Sequence, residues 1–401
     1  MEKTISIIGR KQNEINEILS SIAQTIINKS KSPGPDLGLL SGTMGEILFL
    51  HEYSKINNKY QQYIPENLDC LFESIEYGNV YHTYCSGLAG ICLGIDYIES
   101  EKNTAYEHFD FVDDQIDEWL TGQLNKCITE GNYDFLHGAI GIGFYFLERF
   151  KAGNDRSEKA LHHLLQFLND TAIKEKDLIK WKNHKRKVNI SLSHGMSSII
   201  IFLLELYTSG FRSEYDVKRL IEGGVSFILE QEINPEVYHS YFPYTSVEEE
   251  TDEIKGSRLA WCYGDLGVAV MLGKASGILN NSIWKRKSAE IMEFSAGRRT
   301  DDKIRILDAG ICHGSAGVSL IFYNEFLKTG NEKYAEAAKF WLNKTLEYYK
   351  EDPDHFSRVS YHPVTEEYHP NNSLLEGSAG VGLVLLAIME DTSDWSKFLL
   401  I

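Results

Sequence analysis

The sequence predicts an all-α protein whose helices form an α/α toroid, a ring of inner helices inside a ring of outer helices. Two observations predict this fold. A short glycine turn recurs seven times along the 401 residues, and helices of two types alternate between the turns. No run with β-strand alternation reaches comparable length. The turns are Gly42–Gly45, Gly87–Gly90, Gly138–Gly141, Gly195–Ser198, Gly264–Gly267, Gly314–Gly317 and Gly377–Gly380, all Gly-x-x-Gly except the fourth.

The helices that precede the turns are amphipathic. Their apolar residues recur every three or four positions with charged residues between them, which is typical of helices with one face in water. We expect them to form the outer ring. Clear examples are Asn13–Asn28, Ser157–Thr171, Tyr215–Glu230 and Lys333–Tyr349.

The segments that follow the turns are apolar nearly all round, which predicts inner helices that are buried on both sides. Seven repeats of one helical hairpin predict seven inner and seven outer helices, with the turns gathered at one end of the ring. An open helical solenoid is the alternative that the periodicity leaves. The inner segments include Gly141–Phe150, Ser198–Leu206, Gly267–Leu272, Gly317–Phe326 and Gly380–Met389.

Residues 1–401 are expected to form one such domain. Three longer intervals interrupt the repeats, near residues 174–189, 234–254 and 352–370. We expect them to be surface loops on the turn-bearing face, where they would wall a substrate groove.

The composition argues against several classes of protein. A net charge of -18 and a pI near 5.2 leave no basic surplus for a nucleic acid. The first ten residues lack the apolar core of a signal peptide, and the longest apolar runs fall short of the roughly 18 residues of a membrane span, so we expect a cytoplasmic protein. Six cysteines are too few for a disulfide scaffold and are more typical of buried side chains or metal ligands.

Chemistry-bearing residues cluster just before the turns. If the turns converge, the residue in front of each one points toward a shared centre, and titratable groups concentrate in the later repeats. Two cysteines, Cys262 and Cys312, stand one residue further back. The residues in front of the turns are Ser41, Ser86, His137, His194, Tyr263, His313 and Glu376.

Cys262, Cys312 and His313 together suggest a zinc site. Two thiolates and an imidazole are zinc ligands, and three protein ligands leave the open position that characterises a catalytic metal. The spacing is unusual for zinc, because structural sites pair ligands two to four residues apart. Buried thiols beside a core histidine are the alternative interpretation.

These turns together resemble the lanthionine synthetase C-like family, and more narrowly its class I lantibiotic cyclases. The resemblance rests on the seven repeats and on Trp261-Cys262-Tyr263-Gly264, Cys312-His313-Gly314 and Ser193-His194-Gly195, and it covers essentially the whole chain. It implies an α/α toroid with one zinc ion held by Cys262, Cys312 and His313.

The resemblance also implies an active site and partners. Asp134, His194, Arg258 and Tyr263 match the family's active-site positions. Ser198 and His137 depart from its pattern, which usually has glycine and an acidic residue there. The implied reaction is the addition of a peptide cysteine thiol to dehydroalanine or dehydrobutyrine. The implied partners are a dehydrated precursor peptide with its leader, a lantibiotic dehydratase and an ABC transporter, with membrane contact only through that complex.

The residue types suggest roles. His194 is the candidate general acid or base, Asp134 would orient its ring, and Arg258 or Tyr263 would stabilise oxyanion charge. The structural alternatives are a helix cap for Asp134 and a fixed ion pair for Arg258.

Three other functions stay open at this point. One is addition of glutathione to dehydroamino acids in proteins. Another is a peptide-binding scaffold with structural zinc, for which Asp265 or Asp308 would be the fourth ligand. The third is a glycosidase, for which Asp134 and Glu376 form the obvious carboxylate pair.

Overall fold

The computed structural model describes residues 8, 11–29, 36–78, 80–100, 111–182, 188–248, 253–300, 304–351, 360–362, 364–365 and 367–401. Helices dominate these ranges. In chain order they are α1 (Gln12–Lys29), α2 (Thr43–Ser54), α3 (Tyr63–Tyr77), α4 (Leu88–Ser100), α5 (Asp114–Thr129), α6 (Ala139–Lys151), α7 (Asp155–Thr171), α8 (Met196–Thr208), α9 (Val217–Leu229), α10 (Pro235–Tyr238), α11 (Asp265–Ile278), α12 (Ser282–Gly297), α13 (Ser315–Thr329), α14 (Glu332–Glu351) and α15 (Ser378–Glu390). Short 3-10 helices span Asn58–Tyr60 and Asp394–Leu399.

Seven of these helices, α2, α4, α6, α8, α11, α13 and α15, begin one residue after the first glycine of a predicted turn, so they include the rest of that turn, and they are buried along most of their length. Each packs against at least one other of the seven, as expected of inner helices. The amphipathic helices α1, α7, α9 and α14 begin and end within two residues of the predicted outer segments. The predicted all-α toroid is therefore confirmed, while the count of seven inner and seven outer helices stays a prediction.

The ring is closed. Helix α15 packs against α2, so the last inner helix meets the first. Across this seam the backbone N–H of Leu375 donates to the carbonyl of Leu40 at 2.8 Å. The open solenoid is thus wrong, because its two ends would not touch.

The residues before the turns form three layers. The side chains three positions before the first glycine of each turn are buried, and we call this layer the floor. It consists of Leu39, Tyr84, Phe135, Leu192, Trp261, Ile311 and Leu374. Two positions before the first glycine, backbone hydrogen bonds of 2.8 to 3.3 Å connect neighbouring turns at six junctions. These bonds join Leu40–Cys85, Cys85–Leu136, Ser193–Cys262, Cys262–Cys312, Cys312–Leu375 and Leu375–Leu40. The residue in front of the glycine is partly or fully exposed in all seven turns, so this layer faces the open end.

The turn glycines permit a close backbone approach. At Gly195 an added Cβ would lie 2.2 Å from the carbonyl oxygen of Asn189, a distance that no side chain tolerates. The fourth turn keeps this backbone although it ends in Ser198, because Gly195 and Gly138 have nearly the same φ, both -142°. The Ser198 hydroxyl donates to the Gly195 carbonyl at 2.8 Å.

All three predicted loops contain short regular structure. Strand β1 (Ile173–Glu175) pairs antiparallel with β2 (Leu178–Lys180), with Ile173 opposite Lys180, and α10 lies in the second interval. The hairpin docks on α9, where Gly223 leaves room for Ile179. Strands of three residues are too short for sequence periodicity to detect.

The first two intervals pack against each other. Lys180 pairs with Glu248 at 2.7 Å, and the N–H of Ser246 donates to the carbonyl of Val188 at 3.1 Å. In the third interval β3 (Ser360–His362) pairs antiparallel with β4 (Glu367–His369). Positions 183–187, 249–252, 352–359, 363 and 366 of these intervals lie outside the described residues.

The terminal segment, residues 394–401, lies under the floor. Trp395, Phe398 and Leu399 are buried. The Phe398 ring meets Tyr97 of α4 edge-on at 5.5 Å. Within the described ranges, no helix combines the length and apolar character needed to cross a bilayer.

Candidate metal centre and catalytic site

Cys262, Cys312 and His313 meet at the open end of the ring. Their ligand atoms all lie within 4.8 Å of one another. The N–H of Cys262 donates to the carbonyl of Cys312 at 3.2 Å, which sets the fifth and sixth turns side by side. The two thiols therefore occupy the same position of neighbouring turns, with the imidazole one residue above them.

The three side chains fit a zinc ion. With bonds of about 2.0–2.3 Å, ligand atoms of a tetrahedral zinc are about 3.3–3.8 Å apart, so small side-chain rotations would suffice here. Thiolates and imidazole are the donors that zinc prefers. Among the described residues, the cluster includes no fourth histidine, cysteine or carboxylate.

The two carboxylates considered as a fourth ligand have other partners. Asp265 is fully buried and accepts the backbone N–H groups of Tyr241 and Phe242, each at 3.0 Å. Asp308 accepts the N–H of Gly310 at 3.0 Å, and its other oxygen lies 3.5 Å from Nε2 of His313. A carboxylate behind a ligand histidine orients the ring and raises its basicity. Asp308 is therefore placed to support His313.

The electrostatics of the two thiols differ. A hydrogen bond from Cys312 lowers the pKa of Cys262, with further help from His313 and the charge of Arg258, and these effects outweigh burial. The same bond raises the pKa of Cys312. By contrast, burial raises the pKa of Cys85, at the equivalent position of the second turn, to about 11. The neighbours, rather than the turn position itself, make Cys262 acidic.

His194 and Asp134 join two further turns. Nδ1 of His194 lies 2.7 Å from Oδ2 of Asp134, and both side chains are partly exposed. Burial acts to lower the pKa of His194, but the hydrogen bond and charge of Asp134 outweigh it, so the pKa is raised. The other oxygen of Asp134 accepts the N–H of His137 at 2.8 Å. Asp134 thus contacts both its own turn and His194, and it is not a helix cap, because the N-cap of α6 is Gly138 without a side-chain hydrogen bond.

Aromatic rings flank His194 on both sides. The exposed ring of His137 stacks on it with centroids 5.9 Å apart, and the ring of Tyr263 lies 6.0 Å away. Burial lowers the pKa of His137. Near the metal cluster, burial raises the pKa of Glu376 while the charge of His313 opposes that rise.

Two residues of the site were missed by sequence reasoning. Tyr244 accepts a hydrogen bond from Nε of Arg258 at 3.4 Å, and Asn189 is hydrogen-bonded to the side chain of Tyr263. Tyr244 comes from an interval without repeat register, so no sequence signal identified it. Asn189 stands six residues before the first glycine of its turn, where Asn or Asp occurs in five of the seven repeats, so the repeat did carry a signal for it. Arg258 makes this contact with a hydroxyl group rather than a carboxylate.

The chain matches the sequence profile described as lanthionine synthetase C-like protein over residues 35–400. It belongs to the lanthionine synthetase C-like family. A curated relative is the nisin biosynthesis protein NisC of Lactococcus lactis subsp. lactis, which is 26% identical in an alignment 415 positions long that covers 94% of this chain and 93% of the relative. A solved structure of nisin cyclase shares the fold with a TM-score of 0.77 at 20% identity, covering 97% of this chain and 98% of that one.

For this lanthionine synthetase C-like chain, the structure gathers the predicted residues into two adjoining groups. One is the metal cluster of Cys262, Cys312 and His313, and the other is the Asp134–His194 pair beside Tyr263. Arg258 lies close enough to Cys262 for its charge to act on that thiol. The roles of these residues remain predictions. The carboxylates of the glycosidase alternative are engaged separately, Asp134 with His194 and Glu376 with the electrostatics of His313.

Proposed function

We propose that this protein is a zinc-dependent lanthionine and methyllanthionine cyclase. It adds cysteine thiols of a dehydrated peptide to dehydroalanine or dehydrobutyrine in the same peptide, as in lantibiotic maturation. The observation that carries the proposal is the three-ligand cluster at the open end of the ring. His313 keeps 26% of its side chain exposed there, so a peptide thiol has access to the cluster.

Cys262, Cys312 and His313 would hold the zinc. When bound, zinc supplies a Lewis acid that keeps a thiol ionised near neutral pH, where a free thiol with a pKa of about 8.5 is mostly protonated. The two protein thiolates and one neutral imidazole balance the charge of the ion. With that charge balanced by Cys262, Cys312 and His313, the site would leave a peptide thiolate nucleophilic.

The other residues handle the proton and the developing charge. The peptide S–H releases its proton to solvent, the sulfur bonds to the β-carbon, and the α-carbon takes up a proton from His194, which solvent then reprotonates, so the addition is balanced. His194 is the proton donor to the α-carbon, because Asp134 favours its charged form. Arg258 and Tyr263 stabilise the oxyanion that forms on the substrate carbonyl.

The substrate is a dehydrated precursor peptide that carries a leader. The paired intervals around residues 174–189 and 234–254 supply Asn189 and Tyr244 to the site and would form one wall of the peptide groove. Family membership also favours a cytoplasmic enzyme that works with a dehydratase and an ABC transporter. Co-purification of those partners with the tagged protein tests this expectation.

Zinc content and cyclisation should be measured together. The wild type should hold about one zinc per chain and convert a dehydrated peptide to thioether rings, detected as loss of free thiols without a mass change. Cys262→Ala, Cys312→Ala and His313→Ala should lose both properties. Cys85→Ala is the matched control, because Cys85 is as buried as Cys262 and occupies the same turn position, and it should retain both. Full cyclisation by the metal-free variants would refute the proposal.

The same assay separates the cyclase from the glutathione-adding alternative. Glutathione is supplied with the dehydrated peptide after its cysteines have been blocked. A cyclase should add little glutathione to this peptide, whereas it closes rings in the unblocked one. Rapid addition of glutathione mass to the blocked peptide, with no ring closure in the unblocked one, would instead favour the alternative.

A further inference from the structure

The floor residue next to a metal ligand is tied to the terminal segment. Trp261, directly before Cys262, is fully buried, and its indole N–H donates to the carbonyl of Leu399 at 2.8 Å. An indole has one polar atom, and burying it without a partner is costly. Residue 399 therefore helps to fix the position of Trp261 from beneath.

The turn that carries Cys262 is unlike the other six. Gly264 has a φ of +102°, whereas none of the other six first glycines has a positive φ. An added Cβ at Gly264 would lie 2.5 Å from the hydroxyl oxygen of Ser257. The fifth turn therefore has a backbone conformation of its own two residues after Cys262.

Three hydrogen bonds connect the backbone of Cys262 to neighbouring turns. The N–H of Cys262 donates to Cys312, and its carbonyl accepts the N–H and the hydroxyl of Ser193 at 3.3 and 3.1 Å. These bonds connect Cys262 to the fourth and sixth turns, its two neighbours around the ring. The bond between Trp261 and Leu399 is the one that comes from below.

The second turn offers an internal comparison. Tyr84 occupies the same floor position as Trp261, and its hydroxyl donates to the carbonyl of Phe398 at 3.1 Å. Its neighbour, Cys85, lies outside the metal cluster. Two equivalent floor side chains thus hold adjacent carbonyls of the terminal segment, but only one of them adjoins a metal ligand.

We propose that residues 394–401, the terminal segment, support the metal centre. Trp261 is the positioning residue: its bond to Leu399 fixes the ring of Trp261, and the ring fixes the adjacent Cys262. This inference rests on the proposed zinc site. Losing the Trp261–Leu399 bond should leave the fold intact but let the Cys262 turn move, and zinc should dissociate faster. One hydrogen bond of ordinary strength corresponds to a change of about three- to tenfold in the rate of zinc release.

The test compares Trp261→Phe with Tyr84→Phe. Each substitution removes one hydrogen bond to the terminal segment and keeps an aromatic ring in the floor. Zinc release to a chromogenic chelator and the melting temperature are measured for both variants and the wild type. We expect both variants to melt somewhat below the wild type, but only Trp261→Phe to release zinc faster.

A second pair of variants covers the case in which Trp261→Phe does not fold. A chain ending at Phe398 keeps the acceptor for Tyr84 and loses the one for Trp261, whereas a chain ending at Leu400 keeps both. Only the shorter chain should release zinc faster. If the wild type holds one zinc and the two variants of each pair release zinc equally fast, this inference is overturned and the proposed function stands. A wild type without zinc would overturn both.

Discussion

His194 shows how a single contact sets the chemistry of a residue in this site. Burial alone would favour the neutral imidazole, and the carboxylate of Asp134 at 2.7 Å reverses that preference. A histidine with a raised pKa stays protonated to higher pH, so it can donate a proton under conditions in which a free imidazole would be neutral.

Asp134→Asn should therefore change the pH profile of cyclisation. If His194 donates the proton, the wild-type rate falls as pH rises through its raised pKa. In the variant the carboxylate no longer opposes the effect of burial, so the pKa of His194 drops and the falling limb moves to lower pH. We expect a loss of about tenfold or more at pH 8 and a smaller loss at pH 6.

The check combines initial rates from pH 5.5 to 9 with an NMR titration of the His194 ring. Zinc content is the control, since Asp134 is not in the metal cluster and the variant should keep its metal. An unchanged falling limb, together with an unchanged His194 titration, would contradict the assigned role. A wild-type cyclisation rate that rises with pH through the pKa of His194 would instead assign His194 as the general base.

Sequence could indicate the residues of the site but not its contacts. The positions of Cys262, Cys312, His313 and His194 follow from the repeat, because each stands at a fixed offset from its turn. The stack of His137 on His194 depends on side-chain directions across two turns, which the offset does not specify. The same holds for the pKa shifts, which depend on atoms from several turns at once.

At the scale of elements, one buried network joins an outer helix to the inner ring. Asp117 of α5 is 1% exposed and accepts hydrogen bonds from Tyr145 at 2.5 Å and Arg149 at 2.8 Å, both on α6. It also accepts Nδ2 of Asn154, the N-cap of α7, at 2.9 Å. A single carboxylate therefore fixes three consecutive helices.

Asp117→Ala should destabilise the protein strongly. It leaves the buried Tyr145 hydroxyl and the partly exposed Arg149 guanidinium without their acceptor, and losing hydrogen bonds to a charged group costs about 1.5–3 kcal/mol. Urea unfolding followed by circular dichroism measures the change. Asp114→Ala is the matched control on the same helix, since its pair with Arg156 is exposed and should contribute at most about 1 kcal/mol. Equal unfolding midpoints for the two variants would show that the network contributes little.

The helices themselves could be predicted because their patterns are long. Outer helices such as α7 and α14 show three to five turns of apolar periodicity, and the structure gives them nearly the predicted ends. The sequence predicts a loop where the structure has the β1–β2 hairpin. The hairpin is ordered by docking on α9, and three-residue strands carry no pattern of their own. Local patterns predict elements well where the elements are long enough to carry a period.

At the scale of the whole molecule, the turns act as one cyclic network. Hydrogen bonds run from turn to turn around most of the ring and across the seam between Leu375 and Leu40. The seventh junction, between the third and fourth turns, is bridged by the side chains of Asp134 and His194. Sequence predicted a repeat with a preference for closure, but the seam itself pairs residues more than 330 positions apart, which no local pattern specifies.

Zinc at the junction of the fifth and sixth turns should stabilise this network as a whole. A ligand that binds only the folded ring adds about 3–4 kcal/mol when its free concentration is 100 to 1,000 times its dissociation constant. Removing zinc with a chelator should therefore lower the melting temperature of the wild type by several degrees, and adding zinc back should restore it. Cys312→Ala, which lacks a ligand, should melt near the temperature of the stripped wild type and should not respond to chelator. If the stripped wild type melts unchanged after verified loss of zinc, the metal does not hold the two turns together.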